Sequence, residues 1–507
     1  MILDIEDRLV FQVLINKIAP VLDNYLPQGV FNDRVSKSKN RLFISWYENW
    51  PKYQKKLIQT YDEGYKTLIT TDISNYFDSI NHNILKELLM QDAKKIKKPI
   101  LNLLFFILEF WTSRDMYETN SYTGIPQGND ASRFLGNIYL VNIDKHMSIL
   151  DGIKYYRWMD DINIFINEKA NPKVTLRKLD MYMRSIQLNI NMSKTLVLEG
   201  REIKDYFYVT ENDFVGSLIK DLSSRKVKAQ DIKENLIERF DNFLKIDKKS
   251  SIWEKVYKRY YTVFTKIKFN RLDELIIKDI VNRPRLIEKI CKYILYCSPT
   301  PEMVDLIIEY LKSEKDNIYQ DVEIQLISLL LIIPMPKDKI VVIKKFAASH
   351  FLKIKNYWYV RCLSLLLICK FGTQSDLKEI EKRYDSDNKK NPLILKYLII
   401  TTFLKKDNSK TMDKIKFESD PSIIRFSILL NFIGTIKKLE NSILDRLNIH
   451  GFYDYKYITI QQFILLKILS NNESLHNELK IIIKRFLKKN DDSVMDVKLR
   501  NLLNDLE

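Results

Sequence analysis

The chain contains few of the residues that mark secreted, zinc-bound or membrane-spanning proteins. Only four of its 507 residues are cysteine and five are histidine. The cysteines lie among apolar residues of helical pattern, and neither neighbouring pair has the spacing of zinc ligands; they are Cys291, Cys297, Cys362 and Cys369. We therefore expect no structural disulfide and a cytoplasmic protein, since thiols stay reduced there.

Long hydrophobic runs are also missing. No stretch of eighteen apolar residues occurs, and candidates such as Ile324 to Ile333 are too short to cross a bilayer. The first residues, Met1 to Arg8, are acidic and lack the apolar core of a secretory signal. We expect no membrane partner.

Glycine and proline are scarce, at 11 and 13 residues, and concentrate in residues 61–220. Basic residues are abundant instead: the net charge is +17 and the isoelectric point is about 9.2. Such a charge favours a polyanionic partner such as a nucleic acid. A bias toward lysine codons in the genome would give the same composition.

Two adjacent carboxylates, Asp160 and Asp161, lie between stretches rich in aromatic and β-branched residues. This pattern predicts a strand, a tight turn and a second strand. Two ionised carboxylates at one hairpin tip repel each other, and a divalent cation relieves that repulsion. The alternative interpretation of the pair alone is a solvated turn.

A second acidic segment precedes the first. The β-branched run Leu68 to Thr71 predicts a strand that ends at Asp72, followed by an aromatic turn containing Tyr76 and Phe77. Three carboxylates brought together can hold two hard cations, which prefer oxygen ligands. Two such ions can clamp the attacking and leaving oxygens of a phosphoryl transfer.

A third segment lies between these two. Gly124 and Gly128 bracket Pro126 and Gln127, and a helical pattern follows. The backbone of a glycine-containing loop can approach a ligand closely. Gln127 offers a nucleotide both a donor and an acceptor.

The order and sequences of these segments resemble the motifs of the reverse transcriptase family over roughly residues 20–220. The family's D-x-x-x-x-F element matches Asp72 and Phe77, and its G-[IL]-P-Q-G element matches Gly124 through Gly128. The family's Asn-Ile-Tyr-Leu sequence is matched at residues 137–140, and its Y-x-D-D element at residues 158–161, although Trp158 replaces the tyrosine. The resemblance implies a nucleotidyltransferase with an α+β fold of fingers and palm.

The resemblance also implies roles for individual residues. Asp72, Asp160 and Asp161, with the backbone of Ile73, would ligate two Mg²⁺ ions, with Mn²⁺ as an alternative. Phe77 would exclude the 2′-hydroxyl of a ribonucleotide. The other expected residues are Gln127, Gly128, Arg34 and Arg41 at the nucleotide, Trp158 and Met159 at the primer end, and Lys194 as a catalytic residue near the leaving pyrophosphate.

Some positions depart from the family pattern or have a simpler explanation. Asn129 replaces serine, and Arg133 replaces proline and adds a cation near the nucleotide site, or forms an ordinary ion pair. Arg34, Arg41 and Lys194 could each be solvated surface residues. No clear primer-grip motif is present.

After about residue 225 the strand pattern fades and paired helical segments recur. We expect fingers in residues 1–60, a palm in 61–220, a helical connector in 221–284 and a HEAT-like all-α repeat domain in 285–507. The first helices of the pairs recur at about 30–36 residues. An ordinary all-helical domain without repeats is the alternative.

This architecture resembles the bacterial abortive-infection reverse transcriptases of the AbiK and P2-prophage types. That family implies antiphage defence, a homo-oligomer (a trimer or hexamer), and DNA synthesis from dNTPs without a template. The product DNA would be attached to a tyrosine, for which Tyr453, Tyr455 and Tyr457 form the densest cluster, and RNA is a further candidate partner. The alternatives are a templated reverse transcriptase of a group II intron or retron, and an inactive polymerase fold that serves as a nucleic-acid-binding scaffold.

Overall fold

The structure is a computed structural model that describes residues 5–38, 41–90, 96–111, 122–224, 226–246, 251–353, 355–385, 392–402, 404, 421–439, 458–489 and 492–506. The three tyrosines at 453, 455 and 457 lie outside these residues. The chain divides into two compact units, Met1–Asn212 and Asp213–Glu507. The fold is predominantly helical with one small antiparallel sheet.

The sheet belongs to the first unit. Its strands are β1 Thr67–Thr71, β2 Ile153–Trp158, β3 Asp161–Ile166 and β4 Leu196–Glu199, in the order β2-β3-β1-β4. Both neighbours of β1 run antiparallel to it, and β2 pairs with β3 as a hairpin. Both faces of β1 and β3 are covered, which explains their near-continuous β-branched and aromatic sequence.

Helices cover the two faces of this sheet. They are α1 Ile5–Leu22, α2 Trp46–Asp62, α3 Tyr76–Ser79, α4 His82–Met90, α5 Lys98–Trp111, α6 Asp130–Tyr139, α7 Val141–Ser148, α8 Pro172–Ser185 and α9 Glu202–Tyr206. One face of the sheet, which includes Ile69 and Ile164, packs on a large core built mainly from α1 and α4–α8. The other face, which includes Leu68 and Phe165, packs on a smaller core with α2 and α9.

Helix α6 packs closely against Tyr76 and the β2–β3 turn at its glycine. The Asn129 side chain accepts a hydrogen bond from the backbone N–H of Ser132 at 2.8 Å and caps the helix. A Cβ on Gly136 would lie 3.2 Å from the Tyr76 ring and 3.5 Å from the Met159 sulfur. Glycine at this position therefore leaves room for two residues of the candidate site.

The second unit contains only helices among its described residues. They are Val209–Ser223, which begins in the first unit, Ala229–Lys245, Ser251–Ile267, Ile276–Asn282, Ile287–Cys297, Pro301–Lys312, Gln320–Leu330, Ile340–Leu352, Trp358–Phe371, Gln374–Asp385, Pro392–Thr402, Pro421–Thr435, Ile460–Leu469, His476–Lys489 and Ser493–Leu506. Single 3₁₀ turns in the chain lie at Asp23–Tyr25, Met192–Lys194, Asp273–Leu275, Pro284–Leu286, Lys337–Lys339 and Glu473–Leu475.

Alternate helices of this unit pack against one another in series. Ile287–Cys297 packs on Gln320–Leu330, which packs on Trp358–Phe371, and the series continues through Pro392–Thr402 to Pro421–Thr435. Trp358–Phe371 is buried along nearly its whole length, since helices cover it on several sides. Among the described residues, no helix is both long and apolar enough to cross a bilayer.

Candidate active site

The three predicted carboxylates lie at the same end of neighbouring strands. Thr71 on β1 pairs with Ile162 on the antiparallel strand β3. Asp72, which follows Thr71, therefore lies opposite Asp161, which precedes Ile162. Trp158 pairs with Asp161 and closes a two-residue turn that contains Met159 and Asp160. The strand–turn–strand and strand-end predictions are thus reproduced by the structure.

Electrostatics links the three carboxylates. Burial raises the pKa of Asp160 above its ordinary value, and the negative charges of Asp161 and Asp72 raise it further. The positive charge of Lys194 opposes this rise. The site thus gathers negative charge that is only partly compensated by the protein.

Asp72 itself is 9% exposed, and its two oxygens differ. Oδ2 accepts a hydrogen bond from the Lys194 ammonium, whereas Oδ1 is buried without a hydrogen-bond partner. An orphaned carboxylate oxygen beside two further carboxylates fits a hard cation. No group of three or more His, Cys, Asp and Glu side chains in the described ranges is already arranged to hold a metal ion. The assignment of two Mg²⁺ ions therefore stays a prediction.

A buried ion pair between β2 and α7 lies next to the turn, and it could not be predicted from the sequence. Arg157 donates from Nε to Asp144 Oδ1 at 2.8 Å and from Nη2 to Oδ2 at 2.5 Å, and both side chains are fully buried. Burial alone would lower the pKa of Arg157, but the Asp144 carboxylate raises it above its ordinary value. Tyr155 donates to the same carboxylate at 2.9 Å, and Arg157 Nη1 reaches the Asn137 side chain at 2.9 Å. Asp144 lies in the polar helix α7, where sequence alone suggests a surface residue.

The two aromatic residues after Asp72 lie in different environments. Tyr76 is buried at 3% exposure and donates a hydrogen bond to the Gly136 carbonyl. Phe77 is half-buried at the edge of the same core, and its carbonyl accepts from Ile125 N–H at 3.0 Å. Phe77 is thus fixed to the loop that carries Gln127, while its role as a sugar gate stays a prediction.

The glycine loop presents an open backbone. Gly124 and Gly128 adopt φ values of 93° and 90°, a region that favours glycine. A Cβ on Gly128 would meet nothing within 4 Å, so space remains beside it for a ligand. Gln127 is exposed and donates to Asp78 Oδ1 at 3.2 Å, which holds its amide near Phe77.

The two predicted triphosphate arginines differ. Arg34 pairs with Asp23 at 2.9 Å and also donates to the carbonyls of Pro27 and Val30. This guanidinium organises its own loop, and the structure leaves little of it for a phosphate. The Arg41 side chain is about 42% exposed and pairs with Glu48 at the surface, so its guanidinium remains accessible to a ligand.

The two residues predicted at the primer end point inward. Trp158 packs edge-on against Trp50, with ring centroids 4.9 Å apart, and against Tyr53 at 5.5 Å. Met159 is 7% exposed and belongs to the main core. At this turn a primer would therefore meet backbone and ring edge rather than free side chains.

Arg133 forms the ion pair that was the simpler interpretation of it. Its Nε donates to both oxygens of Asp33 at 3.1 Å, and Nη2 donates to Asp130. Burial raises the pKa of Asp33 above its ordinary value, and the positive charge of Arg133 only partly opposes this rise. A cavity of about 780 Å³ adjoins this pair and reaches Met159 and Trp158, with Arg41 on its wall.

Comparisons with known proteins agree with this geometry. The family profile of the reverse transcriptases (RNA-dependent DNA polymerases) matches residues 2–228. The chain therefore contains a reverse transcriptase domain, a kind of domain that transfers nucleotides, binds nucleic acid and generally uses divalent metal ions.

Other comparisons are more distant. No curated protein sequence matches the chain. Among solved structures, the apo telomerase of Candida tropicalis is similar at 13% identity with a TM-score of 0.29. The match covers 70% of this chain and 61% of the telomerase chain.

Proposed function

We propose that this chain is a DNA polymerase of reverse-transcriptase type whose Asp72, Asp160 and Asp161 bind two Mg²⁺ ions. The observation that carries the proposal is the convergence of these carboxylates at one end of β1 and the β2–β3 turn, inside a reverse transcriptase domain. Two ions held there would activate the attacking 3′-hydroxyl and neutralise charge on the departing pyrophosphate.

Protein groups surround the place where a nucleotide would lie. Phe77 would border the sugar, and Gln127 and Gly128 would offer an amide and an open backbone to the nucleotide. The Lys194 ammonium, which now pairs with Asp72, would exchange that partner for phosphate oxygens when nucleotide binds. A lysine there neutralises charge and can donate a proton to the leaving group.

The all-helical unit supplies assembly rather than chemistry in this proposal. Serial packing of alternate helices supports a HEAT-like repeat, in which each pair buries its apolar face on its neighbours. The resemblance to abortive-infection enzymes then favours antiphage defence by a homo-oligomer. It also favours template-independent synthesis that begins on a tyrosine.

A nucleotide-incorporation assay with and without added template tests the proposal. We expect dNTP incorporation without template, and Asp160→Asn should reduce it by several orders of magnitude while the fold persists. Asp62→Asn is the matched control, because Asp62 is an exposed carboxylate that pairs with Lys204. Near-normal synthesis by the Asp160 variant would contradict the metal assignment. Strict dependence on an RNA template would favour a retroelement enzyme, and a wild-type protein without incorporation would favour a scaffold.

A further inference from the structure

Asn32 is bound to the catalytic turn, although its sequence context gives no hint of this. Its side-chain Oδ1 accepts a hydrogen bond from the Met159 backbone N–H at 2.7 Å. Arg157 Nη1 donates to the Met159 carbonyl at 2.8 Å, so both polar groups of Met159 are held. Asn32 is 3% exposed, and Asn137 donates to its carbonyl at 2.8 Å.

The loop that carries Asn32 is itself attached to β2. Arg157 N–H donates to the Gly29 carbonyl at 2.9 Å, and Phe31 N–H donates to the Arg157 carbonyl at 3.2 Å. A Cβ on Gly29 would lie 2.2 Å from the Tyr155 carbonyl oxygen, so only glycine permits this approach. These contacts fix the position of the loop, and with it the position of the Asn32 side chain at the turn.

Met159 needs this support because of its backbone conformation. Its φ is 56°, in the left-handed region that residues with a side chain rarely adopt. The turn has only two residues, so the orientation of the Met159 peptide sets where Asp160 begins. A relaxed Met159 would displace Asp160 relative to Asp72 and Asp161.

We infer that Asn32 is a positioning residue that holds the metal-binding carboxylates through the backbone of Met159. The inference rests on the proposed metal site and adds a residue that acts on it through a hydrogen bond to the backbone. Groups that orient metal ligands typically change metal affinity or activity 10–100-fold when they are removed. We expect an effect of that size on metal affinity from Asn32→Ala.

Metal binding by the full-length protein tests the inference directly. The free Mn²⁺ signal in electron paramagnetic resonance gives the dissociation constant without nucleotide, and the Mg²⁺ concentration for half-maximal incorporation gives a second value. Asn32→Ala should raise both values by about 10–100-fold. Thr60→Val is the matched control, since Thr60 makes a buried hydrogen bond to the Tyr156 hydroxyl on β2 at 2.9 Å, away from the turn. It should leave both values unchanged.

A second variant separates positioning from a loss of folding. Glycine adopts positive φ without strain, so Met159→Gly should let the turn keep its shape without the amide. The increase caused by Asn32→Ala should therefore shrink at least several-fold in a Met159→Gly background. An equal increase in both backgrounds, or unchanged constants in Asn32→Ala, would overturn the inference. A wild-type protein that binds no Mn²⁺ and incorporates no nucleotide would instead contradict the proposed function and the inference together.

Discussion

At the residue scale, the candidate site combines groups that sequence reveals with groups that only the fold reveals. Asp72, Asp160 and Asp161 stand out because acidic residues interrupt apolar strands, and strand registers then bring them together. Asn32 and Asp144 carry no such mark, because their burial depends on partners distant in sequence. Arg34 shows the converse: it matched a predicted role by position, yet its hydrogen bonds stay within its own loop.

Substitution of Phe77 tests how the site selects its sugar. Phe77→Val removes the ring from the edge of the main core and should let ribonucleotides in, since the smaller side chain leaves room for a 2′-hydroxyl. The ratio of rNTP to dNTP incorporation measures the change, which we expect to rise by at least tenfold. Tyr76→Phe is the control: it deletes the hydrogen bond to Gly136 and should cost about 1 kcal/mol in unfolding free energy without altering that ratio. Equal use of both sugars by the wild type would remove Phe77 as a gate.

At the element scale, the β2–β3 hairpin depends on helices packed on opposite faces of the sheet. Its existence was predictable, because β-branched and aromatic residues flank a short polar turn. The buried Arg157–Asp144 pair that anchors β2 to α7 was not, because helix α7 reads as a polar segment.

That ion pair should dominate the stability of the hairpin. Asp144→Asn would leave the Arg157 charge buried and uncompensated, which typically costs about 3–5 kcal/mol in unfolding free energy. Arg184 and Asp180 form an i,i+4 pair on the exposed face of α8 and provide the comparison. Asp180→Asn should cost about 0.5 kcal/mol or less, because solvent screens exposed pairs. Urea denaturation of both variants checks the difference, and similar small losses would show that Arg157 finds another partner.

Protonation of a buried histidine in α4 should lower the stability of the fold. His82 lies buried, its Nε2 bonds to the Gly124 carbonyl at 2.7 Å, and its Nδ1 has no partner. Burial lowers the pKa of His82 below its ordinary 6.5, so the unfolded chain binds a proton more readily than the folded one. The contribution of neutral His82 to the free energy of unfolding is complete above about pH 6.5. It is lost as the pH falls from there through the pKa of His82 in the folded protein.

Thermal denaturation between pH 5 and pH 8 measures this effect. The melting temperature of the wild type should fall toward acid more steeply than that of His82→Gln, which cannot titrate but keeps a donor for Gly124. Parallel curves for the two proteins would show that His82 does not contribute to the pH dependence of stability.

At the scale of the whole molecule, a reverse transcriptase domain is joined to a long helical unit whose helices were visible in the sequence as apolar periodicity. The apolar periodicity predicts a helix from Pro301 to Leu311, for example, and the observed helix is Pro301–Lys312, because its apolar stripe is regular over three turns. The division of the chain near Asn212 was less visible, since the helix Val209–Ser223 runs across it.

Removal of residues 285–507 tests what the helical unit does. The cut would strip the partner of Ser251–Ile267, because that helix packs on Ile287–Cys297 and Tyr261 contacts the Tyr293 ring at 5.7 Å. Buried aromatic residues of the remaining helix would then face solvent, so we expect an insoluble protein or a monomer without protection against phage. Light scattering after size exclusion measures solubility and assembly, and phage plating measures protection. A chain that ends at residue 228 provides the control, because it also removes the helix Ser251–Ile267. A protein lacking 285–507 that stays soluble, assembles and still blocks phage would show that the helical unit is dispensable.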